Sequence, residues 1–189
     1  MHDIIVIDDV VDKETQESIE NSIFSAETKW TFGRTVFAHS DAKMNIESKK
    51  YSMNFTKSLY RLDDKFSVND IELYLKPLQR LQIKTLLTSR IQLQLPVITD
   101  KHYGLPHVDG VRSFTYNAAV YYVNDSDGDT VFFKETSKEI APNNINPNMT
   151  IYKTVSPKKG RLVVFDGDIY HSSGKPKNDI RCIINYNFV

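Results

Sequence analysis

The chain has 189 residues, of which 40% are hydrophobic and 25% are charged, and its 24 basic side chains are balanced by 24 acidic ones. This length and composition fit one globular domain with its own core, so we expect residues 1–189 to form a single domain. The lack of a basic excess disfavours general binding to a nucleic-acid backbone. No apolar run approaches the length of a membrane span, which disfavours a membrane location.

The one cysteine, Cys182, lies in the apolar run Cys182-Ile183-Ile184. This context predicts a buried, unreactive thiol, and a lone cysteine excludes an intrachain disulfide. The first residues lack the basic and apolar regions of a secretory signal peptide, so we expect a cytoplasmic protein. The sequence carries no indication of an oligomeric state.

The beginning of the chain predicts a strand followed by a helix. Ile4-Ile5-Val6-Ile7 is a short apolar run that is typical of a buried strand. Asp12 is placed to cap a helix over residues 13–25, with Ile19 and Ile23 one turn apart on its apolar face. The mostly polar stretch that follows contains two weaker strand candidates, Thr31–Ala38 and Lys50–Phe55.

The apolar pattern changes its period near residue 90. Between residues 69 and 88 the apolar positions have helical spacing, interrupted at Pro77, whereas Arg90–Leu95 alternates and predicts a half-buried strand. Further strand-like runs, separated by glycine and proline turns, are Thr115–Val123, Thr130–Phe133, Thr150–Val155, Arg161–Phe165 and Ile180–Phe188. This order predicts an α+β fold, in which residues 1–89 support a sandwich or barrel over about residues 90–189.

The clearest chemical signal is the motif His107-Val108-Asp109. On a strand, residues two apart project from one face, so this imidazole and this carboxylate can bind the same ion. A second histidine would complete a set of two histidines and one carboxylate, which leaves positions open on a non-haem iron. The same spacing recurs at His39-Ser40-Asp41, which we interpret as a solvated loop.

The candidate for the second histidine is His171, near the end of the chain. A turn at Asp166-Gly167-Asp168 precedes the strand that contains it, and a turn centred near Pro176 follows. A hairpin around that turn would place Arg181 directly opposite His171, with both side chains on one face of the sheet. The sequence therefore predicts a guanidinium group beside the metal.

A buried arginine needs an anionic partner, because an unpaired buried charge is costly. Its planar fork suits a carboxylate. 2-Oxoglutarate is a dicarboxylate that could chelate iron at one end and meet Arg181 at the other. The alternative is that Arg181 points outward into water.

Taken in order, these features resemble the prolyl-4-hydroxylase-like branch of the 2-oxoglutarate- and Fe(II)-dependent dioxygenases. The resemblance covers about residues 90–189. It rests on His107-Val108-Asp109, Tyr121-Tyr122-Val123-Asn124, Gly128-Asp129-Thr130 with Phe132, Pro157-Lys158-Lys159-Gly160, the strand Arg161–Phe165, and His171 with Arg181 ten residues later. It implies a double-stranded β-helix (jelly roll) with supporting N-terminal helices.

The resemblance also implies roles for individual residues. Iron would be bound by three side chains, His107, Asp109 and His171. Arg181 would bind the distal carboxylate of 2-oxoglutarate, Tyr122 matches a position that often hydrogen-bonds the same carboxylate, and Thr130 matches a position that lines the pocket. Fe(II), 2-oxoglutarate and O2 are thus the expected cofactor and cosubstrates, with ascorbate as a candidate reductant.

Two positions depart from the family pattern. Val97 and Ile98 occupy places where a tyrosine often precedes the first histidine, and Tyr103 is a candidate substitute. Asp129 follows Gly128 where the family usually has a second glycine. Both departures concern the lining of the pocket and leave the metal-binding set intact.

The expected reaction is hydroxylation of a C–H bond, because related halogenases lack the carboxylate that Asp109 supplies. By resemblance the leading substrate is a peptidyl proline, and the alternative is a free amino acid or another small molecule. Nucleic-acid substrates are disfavoured, because that branch has further arginines after the second histidine and only Arg181 fits here. Tyr103 and the loop over residues 141–149 are candidate substrate contacts.

Two other classes of protein must be weighed. A jelly roll can be a binding module without catalysis, although such a protein would be expected to have lost a metal ligand or the arginine. A zinc hydrolase also uses histidine and carboxylate ligands, but that alternative leaves Arg181 unexplained.

Overall fold

A computed structural model describes residues 3–33, 54–99, 102–109, 115–141 and 149–189. Its helical elements are α1 (Lys13–Ile23), α2 (Ile71–Leu75) and a 3-10 turn (Lys76–Leu78). Its strands are β1 (Ile5–Ile7), β2 (Thr31–Gly33), β3 (Asn54–Arg61), β4 (Phe66–Ser67), β5 (Leu86–Gln94), β6 (Asn117–Tyr122), β7 (Thr130–Thr136), β8 (Ile151–Val155), β9 (Leu162–Asp166), β10 (Ile169–Ser173) and β11 (Arg181–Phe188).

The described strands form two antiparallel sheets. The large sheet has the order β1-β9-β6-β11-β5-β3-β2, with β4 paired to β3, and the small sheet has the order β10-β7-β8. From β6 onward the chain passes back and forth between the two sheets, as it does in a double-stranded β-helix. The predicted fold, a jelly roll with a few supporting helices, is confirmed.

The large sheet carries apolar packing on both faces. On its outer face α1 contributes Ile19 and Ile23, which are fully buried in one cluster with Tyr121 and Ile184 of the sheet. Fully burying each such side chain stabilises the fold by about 1.5–3 kcal/mol. The inner cluster, between the two sheets, includes Ala118, Val120, Phe132, Phe165 and Ile169.

Helix α1 begins where the sequence predicts. The Asp12 carboxylate accepts a hydrogen bond from the backbone N–H of Thr15 at 2.7 Å, which satisfies one of the unpaired donors of the first turn. The helix ends at Ile23, two residues before the predicted end. Its capped start and its buried stripe together fix α1 against the outer face of the large sheet.

Two predictions for the first half of the chain are wrong. Strand β1 lies at the edge of the large sheet, and 54% of Ile5 and 37% of Val6 are exposed rather than buried. The periodic stretch over residues 69–88 is helical only as far as Leu78, and β5 already begins at Leu86. Pairing of β5 with β3 and β11 outweighs the local helical spacing there.

The predicted hairpin between His171 and Arg181 does not form. Strand β10 pairs with β7 in the small sheet, whereas β11 pairs with β5 and β6 in the large sheet. His171 therefore lies opposite Phe132, and Arg181 lies opposite Gln94. The segment between them crosses from one sheet to the other, so the two side chains belong to different walls of the interior.

Cys182 is fully buried on β11, as predicted, and burial raises the pKa of its thiol to about 12.

Within the described ranges no helix is long and apolar enough to cross a membrane. Three predictions concern stretches outside the described residues. They are the motif His39-Ser40-Asp41, residues 34–38 and 50–53 of the two early strand candidates, and residues 142–148 of the predicted loop.

Candidate metal centre

His107 and His171 are held together by the backbone. They form an isolated antiparallel bridge in which each N–H donates to the carbonyl oxygen of the other residue at 2.9 Å. Directly opposed residues project from the same face, so both imidazoles point the same way. Their ring centroids are 4.5 Å apart.

Asp109 completes the group. One ligand atom from each of His107, Asp109 and His171 lies within 4.8 Å of the others. All three side chains are buried, between 5% and 8% exposed. The sequence analysis named these three residues from the motif His107-Val108-Asp109 and from the family resemblance, which added His171. Two imidazoles and one carboxylate form a donor set with open positions, which is suited to non-haem iron.

Both imidazoles have the same orientation relative to their own backbone. Nδ1 of His107 lies 3.2 Å from the carbonyl oxygen of Leu105, and Nδ1 of His171 lies 3.1 Å from that of Ile169. A carbonyl oxygen only accepts, so each Nδ1 must carry the hydrogen and each Nε2 the lone pair. This tautomer is the one that presents Nε2 as a metal ligand.

Burial lowers the pKa values of both His107 and His171, which keeps the two rings neutral and leaves the lone pair of each Nε2 free for a metal. Burial alone would raise the pKa of Asp109, but the surrounding basic groups and the hydrogen bond from Asn185 outweigh it and leave the pKa below its usual value. The three groups are therefore in the protonation states that a divalent metal requires.

The carboxylate of Asp109 is oriented by groups from the large sheet. Asn185 donates to Oδ2 at 3.1 Å, and Arg90 donates to Oδ1 at 3.3 Å. The backbone of Asp109 is held as well, because the hydroxyl of Tyr116 donates to its carbonyl oxygen at 2.7 Å. Such outer contacts fix the direction in which a ligand meets its metal.

Arg181 is 1% exposed, so the alternative in which it points into water is excluded. Its guanidinium donates to three neutral oxygens: the carbonyl of Gly128 at 2.7 Å, Oγ1 of Thr130 at 2.8 Å and Oε1 of Gln94 at 3.3 Å. A buried cation whose acceptors are neutral lacks the charge that would compensate its desolvation. An anion in the adjoining space would supply it.

Tyr122 and Thr130 lie beside this arginine, as the resemblance implies. The Tyr122 hydroxyl is 2.6 Å from Oγ1 of Thr130, and the guanidinium carbon of Arg181 is 5.8 Å from the centre of the Tyr122 ring. Burial raises the pKa of Tyr122, so its hydroxyl remains protonated and can donate. The three residues form one hydrogen-bonded cluster, named here the arginine cluster.

Three solved structures show which known proteins this fold is similar to. No family model matches the sequence, and no curated protein does. The structure is similar to a 2OG-Fe(II) oxygenase-family oxidoreductase from Burkholderia pseudomallei, with a TM-score of 0.64, 10% identity, and 98% and 84% of the two chains covered. The chain has the jelly-roll fold of these oxygenases.

Two further neighbours show how varied the reactions on this fold are. One is a prolyl-4-hydroxylase from Pseudomonas putida, with a TM-score of 0.59, 14% identity, and 100% and 92% of the two chains covered. The other is the alpha-ketoglutarate-dependent epimerase SnoN of nogalamycin biosynthesis, with a TM-score of 0.61, 14% identity, and coverage of 98% and 77%. At this identity the likeness shows the fold, and the activity has to be argued from the site.

Several residues of the site escaped the sequence analysis. Arg90, Gln94 and Asn185 all contact the predicted residues, yet none belongs to a recognisable motif. The alternation of polar and apolar residues in Arg90–Leu95 could have indicated Arg90 and Gln94, because the polar positions of this strand are the ones that face the interior. Lys175 is also buried near the arginine cluster, where burial and then the charge of Arg181 lower its pKa to about 8.

Tyr103 packs in the apolar cluster of the small sheet that includes Val131, Phe133 and Tyr170. It bridges to Gly174 beside the end of β10, and its ring packs edge-on against Phe133 with the centroids 5.5 Å apart. The described contacts thus place Tyr103 against the small sheet. Its predicted role as a substitute pocket tyrosine remains a prediction.

Proposed function

We propose that this protein is an Fe(II)- and 2-oxoglutarate-dependent dioxygenase that hydroxylates a C–H bond. The observation that carries the proposal is the pairing of two features in one interior. A buried group of two neutral imidazoles and one carboxylate lies between the same two sheets as a buried arginine whose acceptors are neutral. Other structures with this fold contain bound iron, nickel or 2-oxoglutarate.

In this proposal His107, Asp109 and His171 hold the iron. When bound, iron activates dioxygen with electrons from the decarboxylation of 2-oxoglutarate, which is chemistry that side chains cannot supply. The protein contributes the geometry. The bridge between the two histidines fixes the spacing of their Nε2 atoms, and Asn185 and Arg90 fix the direction of the carboxylate.

The arginine cluster would bind the distal carboxylate of 2-oxoglutarate. Arg181 would supply a charge-assisted pair, and Thr130 and Tyr122 would supply hydroxyl groups that already contact each other. The cluster is buried, so solvent weakens such a pair little. Its rigid contacts with Gly128 and Gln94 hold the guanidinium in place before the ligand arrives.

The substrate within this proposal is a peptidyl proline or, alternatively, a free amino acid or another small molecule. The resemblance to the prolyl-4-hydroxylase-like branch favours the first. The presence of Asp109 favours hydroxylation over halogenation. A cytoplasmic location and ascorbate as a reductant stay predictions.

The proposal is tested by measuring succinate formed from 2-oxoglutarate with Fe(II), ascorbate and air. We expect turnover by the wild-type chain, including slow turnover without substrate, and none by His171→Ala. The matched control is His39→Ala, which makes the same substitution in the other His-x-Asp motif and should retain turnover. A peptide and amino-acid panel scored by mass for the gain of one oxygen then identifies the substrate class.

The same assay separates the competing classes. A binding module would form no succinate with any variant. A zinc hydrolase would be active with zinc rather than with iron, and its activity would not depend on 2-oxoglutarate. Loss of turnover in His39→Ala but not in His171→Ala would move the metal site to the other motif.

A further inference from the structure

We infer that Arg90 is a binding group for an anionic substrate, one that presents a carboxylate or phosphate next to the metal. The inference rests on the proposed function and narrows its substrate class. Its basis is that Arg90 places a second guanidinium group in the interior that contains Arg181. Unlike Arg181, Arg90 is partly exposed and is paired with Asp109.

The register of the large sheet orients Arg90 towards the site. Arg90 lies directly opposite Asn185, and Asn185 lies directly opposite Val120, which belongs to the inner core. Opposed residues share a face, so the Arg90 side chain projects inward. Arg181 is four residues from Asn185 on the same strand, about 13 Å away, so the two guanidinium groups serve different regions.

The hydrogen-bonding capacity of Arg90 is largely unused. One terminal nitrogen donates to Asp109 at 3.3 Å, which is long for a charge-assisted bond. Its Nε is buried and has no hydrogen-bond partner among the described residues. An arginine fork has five N–H donors, so among the described residues most of the donors of Arg90 remain available to an oxyanion.

The sum of the charges in the loaded site also supports an anionic substrate. Iron(II) with Asp109 would carry one net positive charge, and 2-oxoglutarate with Arg181 would carry one net negative charge. These four groups cancel, so Asp109 cannot neutralise both the metal and Arg90. The positive charge of Arg90 is then left beside the metal, where an anionic group of the substrate would compensate it.

Arg90 is also placed where a substrate can reach it. Its side chain is 33% exposed, whereas Arg181 is sealed. The residue directly opposite it on β3 is Ser58, which is exposed, and the next inward-facing pair is Thr56 and Gln92. This part of the inner face is polar and opens to solvent, which suits a polar, charged substrate rather than an apolar one.

The test uses the full chain loaded with Mn(II) and saturated with 2-oxoglutarate, so that no turnover occurs. Trifluoroacetate is the anionic probe and trifluoroacetamide is its neutral counterpart. Paramagnetic relaxation of the fluorine nuclei reports whether either probe comes close to the metal. We expect saturable relaxation for the anion and none for the amide.

Three variants decide whether Arg90 is responsible. In Arg90→Gln we expect the affinity for trifluoroacetate to fall at least tenfold, and in Arg90→Lys we expect part of it to return. The exposed Arg80→Gln is the control and should match the wild type. Undiminished binding in Arg90→Gln, at saturating Mn(II) and 2-oxoglutarate, would overturn the inference.

Two outcomes remain distinct. If Mn(II) or 2-oxoglutarate fails to bind the wild type, the proposed function itself fails. If both bind, but the anion stays remote from the metal or binds independently of residue 90, only the inference fails. Water-proton relaxation measures Mn(II) affinity in each variant, so a loss of metal in Arg90→Gln is not mistaken for a loss of anion binding.

Discussion

His107 and His171 face each other across an antiparallel bridge in which each backbone N–H donates to the carbonyl oxygen of the other at 2.9 Å. The bridge joins the segment that follows β5 to the strand β10 of the small sheet. The two ligand candidates are therefore positioned by main-chain geometry, and a bound metal would link the same two segments a second time.

Metal binding should stabilise the folded chain. A ligand that binds only the folded state adds about 2.7 kcal/mol at a concentration one hundred times its Kd. We expect Mn(II) to raise the midpoint of thermal unfolding and a chelator to reverse the shift. The shift should vanish in His171→Ala and persist in His39→Ala. An equal shift in His171→Ala would place the bound metal elsewhere.

Arg181→Gln should weaken binding of 2-oxoglutarate to the Mn(II)-loaded protein by about 2 kcal/mol or more, roughly thirtyfold in Kd, because one partner of a buried charge pair is lost. 2-Oxobutyrate keeps the 2-oxo acid but lacks the distal carboxylate. Its Kd should be nearly the same in the wild type and the variant. Titration calorimetry measures both ligands, and equal losses for the two would contradict the assigned role of Arg181.

Asn185→Ala should reduce metal affinity by about 10–100-fold, because loss of an outer hydrogen bond leaves a ligating carboxylate poorly oriented. Asn185 lies on β11 of the large sheet and donates to Oδ2 of Asp109 at 3.1 Å. Asn178→Ala, at an exposed position, is the control. Competition with a chelating dye measures the affinities, and an unchanged value for Asn185→Ala would remove Asn185 from the site.

Asp8→Asn should lower the free energy of unfolding at neutral pH by no more than about 1 kcal/mol, because the partly exposed ion pair is screened by solvent. Arg161 donates to both carboxylate oxygens, at 2.6 and 3.1 Å, and this contact chiefly lowers the pKa of Asp8 from 3.8 to about 2. The stabilisation is therefore complete above about pH 4 and is lost as the pH falls towards 2.

Urea unfolding of wild type and Asp8→Asn across this range measures the difference directly. The exposed Asp63→Asn serves as the control. A difference between Asp8→Asn and the wild type that grows as the pH falls would mean that the sign of the linkage is wrong.

The sequence was sufficient for the parts of the site that depend on short spacing. His107 and Asp109 are two residues apart, so their shared direction was predictable from spacing, whereas His171 was assigned with the help of the family resemblance. The capped helix α1 was predictable for the same reason, because Asp12 and its apolar stripe lie within three turns. These features are local, and local patterns survive folding.

The position of Arg181 was predicted by a wrong argument. Its inward direction comes from pairing with Gln94, 87 residues earlier, and not from a hairpin with His171. Asn185 and Asp109 are 76 residues apart. One sequence does not show which distant strands pair, and a slip of one residue turns every side chain to the other face.

The most direct measurement of the central claim is an anaerobic titration of the protein with Fe(II) and 2-oxoglutarate, followed by visible absorption. Chelation of ferrous iron by a 2-oxo acid produces a charge-transfer band. We predict a band that saturates at one iron per chain, that is absent in His171→Ala, and that needs far more 2-oxoglutarate in Arg181→Gln. No band in the wild type, or an undiminished band in His171→Ala, would contradict the account.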